Sequence, residues 1–229
     1  LSGDWSSDVC SSDLENNAVS IHSGEASWET EPKPMLAVDG EDRQTVVFSG
    51  GNNGLATVAN LGITGNANRT LIVMESFGTG RINVQMGAGG TDQVFGISTA
   101  PDFLEYFQNN DDIRLTFDPR PANVLESYQM THDSTSNVTK GYLNGAQMGR
   151  LESNLSTGDA PVTIGMNGWG YSNGSFAEML VYDSLLTKAE RQQVDDYLNY
   201  KWYGVAPTEQ DILPSNTAVA IDSGAGLDL

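Results

Sequence analysis

From Gln44 onward the chain alternates apolar and polar positions in short runs. In QTVVFSG (44–50), Val46 and Phe48 stand two apart between polar ends and before two glycines, the spacing expected of a strand with one buried face. Further runs of this kind are RTLIVMES (69–76), RINVQMG (81–87), QVFGIS (93–98), DIRLTFD (112–118) and NVLESYQMTH (123–132). VTKGYLNGAQMGR (138–150), PVTIG (161–165) and FAEMLVYD (176–183) complete the series. Many strands at roughly ten-residue spacing, split by Gly, Asn and Asp, predict an all-β sandwich or jelly roll of antiparallel sheets. Asn144-Gly145 falls between two short alternating runs. Asn-Gly suits the positive φ of a type I′ turn and so predicts a hairpin there.

The period changes once. Thr187-Lys-Ala-Glu190 is a capping box, and Val194, Tyr197, Leu198 and Trp202 recur on one helical face, with Asp195, Asp196 and Lys201 elsewhere. Gly204 suits the left-handed C′ position and Pro207 prevents continuation, so a helix is expected over 188–203. Its aromatic stripe needs a surface to cover, and the sandwich is the one on offer. Trp202 is therefore expected in the core. Before Gln44, residues 15–43 are weakly patterned, and EPKP (31–34) suits no central strand, so this stretch reads as an irregular leader.

Composition narrows the function classes. Hydrophobic residues at 38% with 25 glycines describe a turn-rich β protein rather than a disordered one. Eleven Lys+Arg against 30 Asp+Glu give a net charge of −19, which argues against nucleic acid and anionic membrane surfaces. No apolar run approaches the ~18 residues of a membrane span. The one cysteine, Cys10, permits no intrachain disulfide.

Strand, short link, capped helix and tryptophan, written FAEMLVYDSLLTKAERQQVDDYLNYKW, resemble the C-terminal signature of laminin-G-like domains of the concanavalin-A-like superfamily. VVFSG, RTLIVME, GYLNG and VTIGMN are similar to other strands of that family in the same order, so the resemblance covers about 44–204. It implies a jelly-roll sandwich with one concave sheet, and a secreted or bacterial cell-surface binding module, monomeric as a domain, within a larger exported protein. Two departures stand out. The family opens with a Leu-Trp-Leu-Asp-Ala-like strand pairing near the last strand; none precedes Gln44, so an open edge beside 176–183 is expected. Ser49 also stands where the family often has Asp.

The ends resemble other things. GDWSSDVCSSDL (3–14) is similar to translated sequencing adapter at the ends of metagenomic gene models, which implies that 1–14 is not native. LPSNTAVAIDSGAGLDL (213–229) resembles the opening of an autotransporter-associated β-strand repeat, which makes 207–229 a linker and the start of a β-solenoid, with the jelly roll spanning 44–206.

Candidate chemistry is sparse. Retaining glycosidases need two carboxyls about 5–5.5 Å apart, yet no strand carries acids at i and i+2 or i+4 suited to it. Glu126 has no acidic partner two or four residues on, and Glu178 reads as an outward or edge residue with structural hydrogen bonds. His22 lies in the leader and His132-Asp133 reads as a turn, so no enzyme is expected. For metal, Asp111 and Asp112 in QNNDDIR are the candidate Ca²⁺ ligands, hard oxygens in one loop, against the plainer reading of an acidic solvated turn. For a polysaccharide or cell-surface glycan, MNGWGYSNGS (166–175) offers Trp169 and Tyr171 as stacking faces and Asn167 and Asn173 as hydroxyl readers. The competing readings are rings folded onto the sheet, and a structural spacer that binds nothing.

Overall fold

The computed structural model describes residues 18–22, 35–38, 43–50, 53–57, 59–109, 112–167, 170–206 and 219–222. Its first strands are β1 (Ala18–His22), β2 (Met35–Val38), β3 (Gln44–Ser49), β4 (Asn53–Thr57), β5 (Arg69–Phe77) and β6 (Ile82–Gly87). β7 (Val94–Thr99), β8 (Phe103–Phe107), β9 (Ile113–Thr116), β10 (Glu126–Asp133), β11 (Val138–Leu143) and β12 (Ala146–Glu152) follow. Three short strands come next, β13 (Thr163–Ile164), β14 (Met166–Asn167) and β15 (Gly170–Tyr171). The long β16 (Asn173–Tyr182), helix α1 (Lys188–Tyr203) and β17 (Val219–Asp222) complete the order.

Two antiparallel sheets form a jelly-roll sandwich, the architecture that the strand spacing predicts. One has seven strands in the order β1-β4-β13-β6-β7-β8-β9. The other has eight, β12-β11-β10-β5-β16-β3-β2, with β17 also paired to β16. Alternation along the strands sends Leu71, Val73, Ile82, Val84, Phe95, Ile97, Tyr106 and Met130 into the space between the sheets. The other face of β5 and β16 (Ile72, Met74, Leu180, Tyr182) meets Val194, Leu198 and Trp202 of α1 in a second apolar layer. β5 is therefore buried along its whole length, which explains its unbroken apolar run.

The local expectations that fix geometry hold. Asn144 and Gly145 have φ of 47° and 78°, as a type I′ turn requires. Thr187 and Glu190 form both bonds of the capping box, and Gly204 closes α1 with φ of 65°. Asp195, expected off the packing face, is instead buried with it and accepts from Ser127 Oγ at 3.0 Å and Gln129 Nε2 at 2.6 Å.

Three differences concern the periphery. Two pieces of the stretch read as an irregular leader are strands: β1 pairs with β4, and β2 pairs with β3. β4 and β8 also form where no strand is read from the sequence. The edge of β16 expected to lie open is occupied, because β3 bonds to Asn173–Phe176 and β17 to Glu178–Val181. Residues 219–222 of the tail thus join this sandwich. The adapter-like residues 3–14 lie outside the described residues.

Candidate functional site

On the outer face of the seven-stranded sheet, pairing sets Asn83 opposite Ser98, Ser98 opposite Glu105, and Glu105 opposite Arg114. Their neighbours Ile82, Val84, Ile97, Leu104 and Ile113 point into the core, so the four form one polar row across β6 to β9. At its outer end Arg114 Nη1 meets Glu105 Oε1 at 3.2 Å, and the Arg114 guanidinium lies 4.6 Å from the centre of the Phe103 ring. Arg81 approaches the same ring at 5.1 Å. At the inner end Asn83 and Ser98 are buried, yet both amide atoms of Asn83 and the Ser98 hydroxyl lack a hydrogen-bond partner among the described residues. Buried polar groups are almost always satisfied, so three orphaned atoms in one place mark a spot where the fold itself supplies no partner.

The loop that the sequence singles out leaves the sheet at this inner end. Gly165 N–H donates to the Asn83 carbonyl at 2.8 Å, the Asn83 N–H donates to Ser172 Oγ at 3.2 Å, and Ser172 N–H donates to Gly165 O at 3.1 Å. Between those anchors β14 and β15 pair, with Met166 opposite Tyr171 and Asn167 opposite Gly170. The backbone thus holds Asn167 and Tyr171 on one small hairpin beside Asn83. Trp169 lies outside the described residues. Asn173 is committed locally: its Oδ1 accepts from Thr79 N–H at 2.8 Å and Thr79 Oγ1 at 3.3 Å, tying the hairpin to the turn after β5.

Asp112 Oδ1 accepts from Gln108 N–H at 2.7 Å and closes the β8–β9 turn, and Asp111 lies outside the described residues. Among the described residues no three His, Cys, Asp or Glu side chains gather as a metal ligand set.

The acids and the histidine are set in structural networks. Glu178, expected at an outer edge, is buried under α1, where Trp202, Tyr197 and Lys201 meet it. Sequence spacing along single strands missed one juxtaposition, because it lies across two: Glu75 on β5 stands directly opposite Glu126 on β10. Glu75 is sealed inside the sandwich, accepts from Thr99 Oγ1 at 3.1 Å, and is pushed up to about 8 by burial. Glu126 Oε2 is engaged by Arg120 at 2.9 Å and the Tyr128 hydroxyl at 2.7 Å. This pair has the unequal environments of an acid and a base, but Glu75 has no surface on which to meet a substrate. His132 is no turn residue; it lies in β10, fully buried, with Thr139 Oγ1 at 2.9 Å from Nδ1 and Asn66 Oδ1 at 2.8 Å from Nε2.

No family model and no curated protein matches the sequence. Solved structures share its fold. Domain 4 of AbnA, a GH43 extracellular arabinanase from Geobacillus stearothermophilus in complex with arabinotriose, matches with a TM-score of 0.52 at 16% identity, over 75% of this chain and 84% of that one. The CBM40 domain of Ruminococcus gnavus IT-sialidase matches at 0.51 and 17% identity, over 67% of this chain and 97% of that one. The heptameric SAP-like pentraxin of Limulus polyphemus matches at 0.51 and 13% identity, over 79% and 92%. At such identities the likeness is one of fold, a jelly-roll β-sandwich. No α-helix among the described residues is long and apolar enough to cross a membrane.

Proposed function

We propose that this chain is a non-catalytic carbohydrate-binding module that holds its glycan on the outer face of the seven-stranded sheet, against the 166–171 hairpin. The observation that carries the reading is the meeting of two features. One is the polar row, whose accessible end is Glu105 and Arg114 and whose orphaned groups at Asn83 and Ser98 lie buried at the other end; the other is the hairpin that holds Asn167 and Tyr171 beside that row. Sugars present ring faces for aromatic contact and hydroxyls for amides, so such a juxtaposition suits them. Asn173 contributes by fixing the hairpin. The arabinotriose complex of the AbnA domain and the module character of CBM40 belong to those proteins, and they support the same reading here. On this reading the domain is laminin-G-like, extracellular, monomeric and part of a longer exported protein.

Affinity electrophoresis of the chain through a panel of neutral polysaccharides tests it, with and without Ca²⁺. Retardation by one polysaccharide, lost in Trp169→Ala with the fold intact, is the expected result. A folded chain that no polysaccharide retards would overturn the proposal in favour of a structural spacer. Retardation only with Ca²⁺, abolished by Asp111→Asn, would bring the metal into the site.

A further inference from the structure

Four of the eleven Lys and Arg residues of this acidic chain converge in one groove on the opposite side of the molecule. The groove, about 430 Å³, runs between the N-terminal end of α1 and the outer face of β10 to β12. Its floor follows from strand register: Thr131, Lys140 and Arg150 lie in one row, with Lys140 directly opposite Arg150. Like charges directly opposite on neighbouring strands repel. Lys188 and Arg191 add two more cations from the first turn of α1, where the helix end itself is electropositive.

The local anions do little to neutralise this set. Arg150 pairs with Glu152 at 2.8 Å, but both side chains are well exposed, which makes the pair weak. Asp133, at the rim, is turned to Ser136 Oγ at 2.7 Å and Thr135 N–H at 2.9 Å, which hold its carboxylate ionised without pairing it to a cation of the groove, and Glu190 is turned back onto the helix cap. Arg191 is held rigidly, donating to Leu186 O at 2.9 Å with its guanidinium 4.2 Å from the centre of the Tyr142 ring. The side-chain ammonium groups of Lys140 and Lys188 form no ion pair or hydrogen bond among the described residues.

We infer that this groove is a second binding site that takes an anionic sugar, a saccharide bearing a carboxylate or sulfate, with Lys140 and Lys188 as its charge contacts. The inference rests on the carbohydrate reading for the class of ligand, and on the charge arrangement for its sign. A short acidic oligosaccharide suits the site better than an extended polyanion, because the groove is small and the surrounding net charge of −19 repels a long negative chain.

The test is calorimetric titration of the chain with trigalacturonic acid and with a sulfated disaccharide, against maltotriose and inorganic sulfate. Both acidic sugars, or one of them, should bind and weaken at high salt, while maltotriose and sulfate ion do not compete. Lys140→Gln/Lys188→Gln should weaken that binding by about tenfold or more with thermal stability equal or slightly raised, since neither ammonium has a partner to lose and Lys140 is relieved of its repulsion by Arg150. Asn60→Asp/Asn123→Asp, which changes net charge by the same two units at exposed positions outside the groove, should change it less than about twofold. Equal binding of maltotriose, displacement by sulfate ion alone, or undiminished binding by the double lysine variant would each overturn the inference. Trp169→Ala separates the two sites. Loss of neutral-polysaccharide binding in that variant, with no acidic sugar bound by the parent, defeats only the groove. An acidic sugar bound through the lysines, with no neutral polysaccharide retained, defeats only the hairpin site.

Discussion

Trp202 Nε1 donates to Glu178 Oε2 at 2.8 Å, across the boundary between α1 and β16. The same carboxylate accepts from the Tyr197 hydroxyl at 2.7 Å and has Lys201 Nζ at 3.3 Å, so three residues of one helix converge on one buried acid. A register shift between Phe176 and Glu178 makes this possible. The bulge resets the alternation of β16, so Phe176 faces the core between the sheets while Ala177 and Glu178 face the helix. Glu178→Ala leaves an indole N–H and a phenol without their acceptor, and should cost about 3 kcal/mol. Trp202→Phe, which keeps an apolar ring but loses the bond, should cost less. Urea unfolding followed by circular dichroism checks both, and a loss below about 1 kcal/mol for Glu178→Ala would mean that the helix is held by apolar contact alone.

Glu75 sets an alkaline limit. Burial pushes its carboxyl up to about 8, against the opposing pull of Thr99 and Arg120. The unfolded chain releases this proton near 4.5 and the folded chain near 8. Between those values the native state holds one more proton, so stability falls as pH rises, by up to about 1.4 kcal/mol per unit, and levels off above 8. Glu75→Gln, a neutral amide of the same shape, should flatten that slope and be more stable at pH 7 by about 2 kcal/mol. Chemical denaturation across pH 5 to 8 reads the slope directly; an unchanged slope would show that Glu75 is ionised in the native protein.

His132 acts in the opposite direction. Burial, then the nearby Arg69 charge, lowers it from 6.5 to about 4. A base depressed on folding contributes stability that is complete above 6.5 and is lost as pH falls from there toward 4. The imidazole proton resonance that disappears in His132→Asn should titrate in the parent near 4. A midpoint near 6.5 would place the ring in water and contradict its bonds to Thr139 and Asn66.

Gly141 touches the Tyr106 ring across the core. A Cβ there would lie 2.2 Å from ring carbons, on a strand where backbone and ring meet directly, and the Tyr106 hydroxyl donates to the neighbouring Tyr142 carbonyl. Gly141→Ala should cost about 2–3 kcal/mol through overpacking. Gly204→Ala, with φ of 65° and nothing within 4 Å of the added Cβ, tests backbone strain instead and should cost about 1 kcal/mol. Thermal unfolding of the two variants compares them; equal losses would mean that the Tyr106 contact relaxes freely.

Much of the architecture is legible from local chemistry. The Asn144-Gly145 turn, the Thr187 cap and the Gly204 stop follow from backbone preferences that need no tertiary knowledge. Glu178 and Asp195 are misplaced by the same reasoning, because a bulge and a cross-layer hydrogen bond decide their burial. β2 escapes because a strand at the flank of a sheet needs only backbone partners, and its sequence carries little pattern of its own; residues 219–222 read as part of a β-strand repeat, and only their pairing with β16 assigns them to this sandwich. Of the site, the hairpin of Asn167 and Tyr171 is legible from its glycines and asparagines. Asn83 and Ser98 are not, since each reads as an ordinary polar position until pairing sets them side by side. The lysine groove is invisible for the same reason: Lys140, Arg150 and Lys188 are isolated charges in the sequence and neighbours only across β11, β12 and the start of α1.

The shared edge of β16 bears on how the protein is made. Residues 178–181 can bond to β5 as soon as β16 leaves the ribosome, but their other side is filled by residues 219–222, which emerge only after the whole helix. During that interval the nascent chain presents a half-zipped strand, with backbone donors and acceptors open to any extended segment nearby. The helix, already anchored to Glu178, stands over one face of that strand and leaves its edge exposed. Of the described strands, β17 is the last to arrive, and it closes a seam at the middle of the sheet rather than at its rim, beside a strand buried along most of its length.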